Sequence, residues 1–442
     1  MREGAEVRVQ EPPGVAQGLA PHLRREITLR HAVALYISSV LGSGVLVLPG
    51  LAAQIAGPSS LIAWFLLSLL SYPFAYTFAS LSSRRPESGG VYAFAKESFG
   101  PQIATVAGWL FALWFISGGP AVTLIAASYI SFAFPLSRGG SYIIAGGVIL
   151  LAFLINYRGI RFSNLVQIGV VAAIIALLLA AVAFSAGSVE LKNFVPFFPN
   201  GLVPLGTAAA LIFWSYLGYE NVSNIAEEFR DPKRDFKRSI LLSVLLIGCL
   251  YVAVATVIVG TGAYRAGGSV APFAAIFSNT VGRYGAVGTA VLALFIIFGT
   301  VNAYTAGMSR VIFAAARDGG FPRFLHHINA RTGVPDRSLV MLFGLSMLML
   351  GVYFYTEVNL QTALLIPSGA AILVYVIGSA AGIKLLKGRE DRNVFAWISL
   401  VTSLAILPFV GALALVSVIT GLAGLGFILI AGRLKNRRAG GQ

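Results

Sequence analysis

The sequence predicts an all-α membrane protein of about twelve transmembrane helices, with the first and sixth helices interrupted near their middles. Three observations carry this expectation. Hydrophobic residues make up 57% of the chain and charged residues only 11%, with a mean hydropathy of +0.82, a balance that soluble domains do not reach. Apolar runs of spanning length recur from one end of the chain to the other. Two of those runs carry a glycine break at corresponding positions.

The first break lies in Ser38-Ser39-Val40-Leu41-Gly42-Ser43-Gly44-Val45-Leu46, inside a stretch with no charged residue between Arg30 and Arg84. Gly42 and Gly44 leave backbone freedom unspent and make a poor helix interior. In a bilayer such a break is tolerated only where protein or a polar cavity takes over the released backbone groups. The upstream half-helix should end near Leu41 and the downstream one begin near Val45, with exposed carbonyls on one and exposed N–H groups on the other. An N-terminal end of that kind attracts a carboxylate. A small-residue patch for close helix packing is the competing reading of the same residues.

In order, the apolar segments are 31–56, 59–82, 102–134, 142–157, 165–186 and 202–226, then 240–262, 285–315, 339–355, 360–383, 394–410 and 412–432. A turn at Pro408-Phe409-Val410-Gly411 must separate the last two. Residues 89–100 read as a short amphipathic helix, and 271–280 as a counterpart on the other side of the membrane. Before the first span, residues 1–29 form a polar tail without the apolar core of a cleavable signal. After the last span, 433–442 form a basic tail.

The net charge of +15 invites a nucleic-acid reading, but its placement argues against one. With the N-terminus in the cytoplasm, the basic residues of the tails and of alternate loops all face inward. Only Arg138, Lys192, Arg265 and Arg283 fall outside. The positive-inside rule accounts for that asymmetry, so the expectation is a multi-pass protein of the cytoplasmic membrane with both termini inside. The single cysteine, Cys249, excludes an intrachain disulfide and reads as a small core residue. Histidines 22, 31, 326 and 327 form no cluster with metal or catalytic spacing, so neither a metal, a cofactor nor an enzymatic activity is expected.

The second break is in Phe213-Trp214-Ser215-Tyr216-Leu217-Gly218-Tyr219-Glu220-Asn221-Val222. Leu217-Gly218 corresponds to Leu41-Gly42, and each broken span opens a set of five helices. Because five is odd, the second set starts from the opposite side of the membrane. Paired interrupted helices in inverted repeats point to a mid-membrane transport site. That divides the chain into a transmembrane unit over 30–432, with repeats at about 31–187 and 202–384 and two extra helices at about 394–432. Glu220 is the one carboxylate that falls in the hydrocarbon middle. A charge there is costly unless paired or neutralised, which makes it a gating or proton-carrying candidate; a structural tether for the unwound backbone is the alternative. The sequon at Asn221 lies inside the span and is discounted.

These residues resemble the amino acid–polyamine–organocation superfamily of amino-acid transporters. The carriers are Gly42-Ser43-Gly44-Val45 with Pro49, Ser88-Gly89-Gly90-Val91-Tyr92 and Phe99-Gly100-Pro101. They continue with Phe213–Glu220, Asp231-Pro232-Lys233-Arg234, Ser309-Arg310 and Arg317-Asp318-Gly319-Gly320-Phe321-Pro322. The resemblance implies the LeuT-type bundle of five-plus-five inverted repeats with two further helices. It also implies that the break at Gly42 holds a substrate carboxylate through backbone N–H groups of Ser43, Gly44 and Val45, with Ser39 nearby. Carbonyls at Phe213, Trp214 and Leu217 would then receive the ammonium. Trp214 matches an aromatic that lies against the substrate in the arginine/agmatine antiporter branch, and Tyr304 falls where that branch has a second tryptophan.

Departures from that branch bear on the substrate. The third-helix positions lining its side-chain pocket become Phe115, Gly119 and Val122, without the polar group that a cationic head needs. An apolar pocket suits an apolar side chain, since a buried guanidinium would go unpaired. The segment Leu41–Gly44 with Pro49–Ala53 also looks like bacterial exporters of methionine and branched-chain amino acids. No lysine or arginine lies between Ser163 and Ala186, where several relatives substitute a lysine for sodium. Arg310 stands where a sodium site would want a small or hydroxyl residue, so sodium coupling is disfavoured. The expectation is a secondary transporter of a neutral, apolar amino acid, by exchange or with protons, as monomer or homodimer. A cationic amino acid or polyamine exchanger, and a non-transporting sensor with the same fold, are the alternatives.

Overall fold

Helix α1 (Leu29–Val40) starts at Thr28, whose hydroxyl oxygen accepts the His31 N–H at 3.5 Å, and stops where the sequence reaches Leu41-Gly42. Both of those residues are extended. A tight 3-10 turn over Ser43–Leu46 then leads into α2 (Leu48–Ala56), with Pro49 in its first turn where no N–H is needed. The computed structural model describes residues 28–82, 90–159, 164–219, 232–265, 267–388 and 390–439, and no strand occurs among them.

The rest of the first half comprises α3 (Ser60–Ser82), α4 (Gly90–Phe99), α5 (Pro101–Ala133), α6 (Arg138–Tyr157) and α7 (Asn164–Ser185). The second broken span begins as α8 (Val203–Ile212), tightens into a 3-10 turn over Phe213–Tyr216, and unwinds at Leu217 and Gly218. Then follow α9 (Pro232–Thr261), α10 (Pro272–Val281), α11 (Arg283–Arg317), α12 (Asp336–Tyr355), α13 (Leu360–Leu385), α14 (Glu390–Ile406) and α15 (Ala414–Ala439). The last two are separated by a tight segment at Leu407–Leu413, where Gly411 takes φ +69°. This is the turn expected at 408–411.

Among the described residues nine stretches are long and apolar enough to cross a membrane. The difference from about twelve expected spans has a simple origin. Residues 48–82 run together as one stretch, as do 393–433, and the helical part of the sixth segment is short, over Val203–Tyr216. The expected short helices at 89–100 and 271–280 are α4 and α10. Cys249, expected in the core, is exposed on α9. It belongs to the outward row with Leu241, Leu242, Leu245 and Leu246, because the i, i+3, i+4 pattern of an apolar helix does not tell its lipid-facing side from its packed side.

Helices α5 and α13 form the centre of the bundle. Their most apolar windows are 72% and 78% buried, against 17% for the final pair of helices, which present Trp397, Val401, Leu404, Ile419 and Leu422 outward. At one end, α2 is clamped. Gly50 lies so close to the Ser269 carbonyl that a Cβ would sit 2.3 Å from it. In addition, the Tyr129 hydroxyl donates to the Leu46 carbonyl at 2.6 Å, and the Asn200 amide donates to Ile55 at 2.7 Å. Elsewhere, α4 is pinned by Lys96–Asp318 at 2.6 Å and by the Lys384 ammonium on the Ser98 carbonyl at 2.7 Å. The Trp109 indole donates to Gly320 at 3.0 Å and stacks on Phe321. The Arg317–Pro322 motif therefore links α4, α5 and α11.

Candidate functional site

The two breaks meet. The Ser39 hydroxyl donates to the Gly218 carbonyl at 2.7 Å. The Tyr251 hydroxyl, from the fully buried face of α9, lies 3.3 Å from the Val40 carbonyl and 3.1 Å from the Ser215 carbonyl. One phenol therefore reaches the last carbonyl of α1 and a carbonyl of the turn that ends the α8 segment. It has one proton to donate, so one of these acceptors is left over at any moment.

Beside this junction opens a cavity of about 610 Å³, counting the space toward solvent. Ten of the twelve substrate positions expected from sequence line it: Gly42, Ser43, Gly44 and Val45 from the first break, Phe115, Gly119 and Val122 from α5, Trp214 and Leu217 from the second break, and Tyr304 from α11. The other two stand aside. Ser39 ties the breaks together as described, and the Phe213 ring packs away from the cavity against Phe74 and Tyr375, with centroids 5.5 and 5.3 Å apart. Glu220 lies outside the described residues.

Two glycines make room for the Trp214 indole. A Cβ on Gly44 would sit 2.8 Å from its Cδ1, and one on Gly118 would sit 2.6 Å from its Cη2. The indole is thus held between the first break and α5, with Trp114 edge-on to it at 6.1 Å. Sequence reasoning missed Trp114 and Gly118, although they fall on the same helical face as Phe115, Gly119 and Val122 and the period would have found them. It also missed Ser215, Tyr251 and Thr300. For Tyr251 and Thr300 there was no local signal, since nothing in the sequence sets either apart from the other hydroxyl residues of its helix.

Among the described residues the lining carries no acidic or basic side chain; its polar groups are hydroxyls, the indole N–H groups of Trp114 and Trp214, and broken backbone. Among the described residues no side chain caps the turn at Ser43–Leu46, so its first N–H groups are available to an anion beside the cavity. Across the cavity, the carbonyl ends of α1 and of the Phe213–Tyr216 turn favour a cation. The Ser215 hydroxyl is buried and has no hydrogen-bond partner among the described residues. Among the described residues no group of three or more His, Cys, Asp or Glu gathers in the way a metal ion needs.

The family model described as amino acid permease matches residues 27–432. The uncharacterized amino acid permease YecA of Bacillus subtilis is 35% identical over 84% of this chain and 88% of its own length. The L-methionine/branched-chain amino acid exporter YjeH of Escherichia coli is 31% identical over 92% of this chain and 96% of its own. The branched-chain amino acid permease BcaP of B. subtilis is 28% identical over 84% and 82%. The two broken helices, the cavity between them and a family match across nearly the whole chain lead to one conclusion: this chain belongs to the amino acid permease family and is an amino-acid transporter.

Proposed function

We propose that the protein is a secondary active transporter of a neutral, apolar L-amino acid, working by alternating access in the cytoplasmic membrane as an exchanger or a proton-coupled carrier. The observation that carries the reading is that both breaks face one cavity whose lining, among the described residues, has no charged side chain. The α-carboxylate is held by the N–H groups at Ser43, Gly44 and Val45, with Gly42 as the bend that presents them. The α-ammonium is held by carbonyls of the Phe213–Leu217 segment. The side chain then points at Phe115, Gly119 and Val122, with Trp214 and Tyr304 closing over it. A guanidinium or ammonium in that pocket would lose water without gaining a partner. The names of two relatives, a methionine/branched-chain exporter and a branched-chain permease, support the same substrate class.

In this reading both tails face the cytoplasm, because the basic residues cluster at that side. The chain divides into two five-helix repeats followed by two extra helices, and Glu220 serves as gate or proton carrier. Sodium coupling is left out of this reading because Arg310 stands on α11 where a sodium site would want a small or hydroxyl residue, and it donates to its own helix at Ala306. The deciding experiment is competition of unlabelled amino acids against radiolabelled leucine or methionine in proteoliposomes, with and without a pH gradient. Leucine, isoleucine, valine, methionine or phenylalanine should compete better than arginine, lysine or glutamate. Arginine as the strongest competitor would overturn the pocket assignment in favour of a cationic exchanger, and binding without flux would favour a sensor.

A further inference from the structure

A second void lies behind one wall of the cavity. Phe115, Gly119 and Val301 line both spaces. The remainder of the second void is built by Ile149 and Phe153 of α6, Thr305 of α11, and Leu342, Phe343 and Ser346 of α12. Its far side is closed by the stacked rings of Phe153 and Phe343, 4.5 Å apart. It is narrow, with room for about one methyl-sized group. Gly119 leaves the wall thin, since a Cβ there would meet nothing within 4 Å.

One polar group on this apolar wall is unaccounted for. Ser346 is 2% exposed, and its hydroxyl has no hydrogen-bond partner among the described residues. The neighbouring Thr305 hydroxyl is satisfied by the Val301 carbonyl at 2.8 Å and does not turn toward it. A buried hydroxyl in apolar surroundings gains from any acceptor brought to it.

We propose that this void gauges side-chain length: it receives the end of an unbranched apolar side chain, and the Ser346 hydroxyl donates to a thioether sulfur carried there. The inference rests on the neutral amino-acid reading above. With the α-carboxylate and α-ammonium on the two breaks, a side chain extends toward the opposite wall at Phe115, Gly119 and Val301, where the void lies. A β-branched side chain such as that of valine ends in the main cavity. The four-atom chain of methionine or norleucine passes Gly119 and places its terminal methyl beyond it. Sulfur is a weak acceptor and a methylene is none, so the hydroxyl separates methionine from norleucine, which has the same length.

The test uses the full-length protein in proteoliposomes, with valine, methionine and norleucine each competing against radiolabelled leucine. Ser346→Leu fills the void and should weaken methionine and norleucine at least tenfold while leaving valine within about threefold. Ser346→Ala keeps the void, costs the fold little, and should lower the preference for methionine over norleucine about threefold. Equal losses for all three competitors, unchanged methionine affinity in Ser346→Leu, or an unchanged methionine-to-norleucine ratio in Ser346→Ala would each overturn the gauge while leaving the neutral amino-acid reading in place. Failure of all three to compete with the wild-type protein would instead overturn that reading, and the gauge with it.

Discussion

The Ser39 hydroxyl and the Gly218 carbonyl, 179 positions apart in sequence, are joined by a 2.7 Å hydrogen bond. The Ser39 backbone carbonyl also lies only 2.3 Å from where a Cβ on Gly218 would be. Gly218 takes φ +121°, a conformation that side chains rarely allow. The two interrupted helices are thus in backbone contact, and the glycine in the second is required by the course of the first. A substrate held between them bears on both at once.

Gly218→Ala should be among the most damaging small substitutions in the chain. Backbone strain alone costs about 1–3 kcal/mol, and the clash is with backbone, which cannot swing away. Thermal unfolding of the purified protein should show a clear drop in Tm. Ser39→Ala, which removes one hydrogen bond worth about 1 kcal/mol, should show a smaller one. Equal Tm values for Gly218→Ala and wild type would mean that the breaks do not touch in solution.

Gly44→Leu should abolish substrate binding. A Cβ at this position already meets Trp214 at 2.8 Å and Leu48 at 3.2 Å, and a branched side chain would extend into the space beside the Ser43–Val45 turn. Both the carboxylate site and the indole wall are lost together. Scintillation-proximity binding of a labelled neutral amino acid measures this directly, and wild-type affinity in the mutant would sink the assignment of the carboxylate site.

The breaks were legible in the sequence because glycine is the residue that a helix interior resists, and because the same anomaly recurred at Leu41-Gly42 and Leu217-Gly218. The α5 wall was legible in part. Phe115, Gly119 and Val122 came from counting along a motif, and the helical period would have added Trp114 and Gly118. Tyr251 was not legible. Its role is set by its distance to Val40 and Ser215, a property of how α9 packs and not of anything near position 251. Cys249, two residues away, was misjudged for the same reason: an apolar helix in a bilayer has no polar face to mark its outside.

Glu220 follows directly on the second break, and the sequence places it at the depth where an unpaired charge is most costly. Glu220→Gln keeps shape and hydrogen bonding but cannot titrate. Substrate affinity should stay within about tenfold, ~1.4 kcal/mol, while the dependence of transport rate on pH flattens. An unchanged pH profile would make Glu220 a structural tether, and loss of binding in a folded protein would put it in contact with substrate.

Tyr251→Phe separates coupling from binding. The ring is held by edge contacts with Trp64 and Tyr216, both at 5.4 Å, and phenylalanine keeps them, so the fold should survive with little change in Tm. What is lost is a hydroxyl that reaches the carbonyls of both Val40 and Ser215. If that hydroxyl holds the two breaks in register as they move, its removal should slow exchange by about tenfold, ~1.4 kcal/mol, within the range expected for a buried hydrogen bond. The half-saturating substrate concentration should change by less than about threefold, because the ammonium still finds the same carbonyls and no longer competes with a phenol for them. Measured exchange rates at saturating and limiting substrate distinguish the two roles. A rise in the half-saturating concentration at unchanged maximal rate would make Tyr251 a substrate contact and leave the joint movement of the breaks without its link.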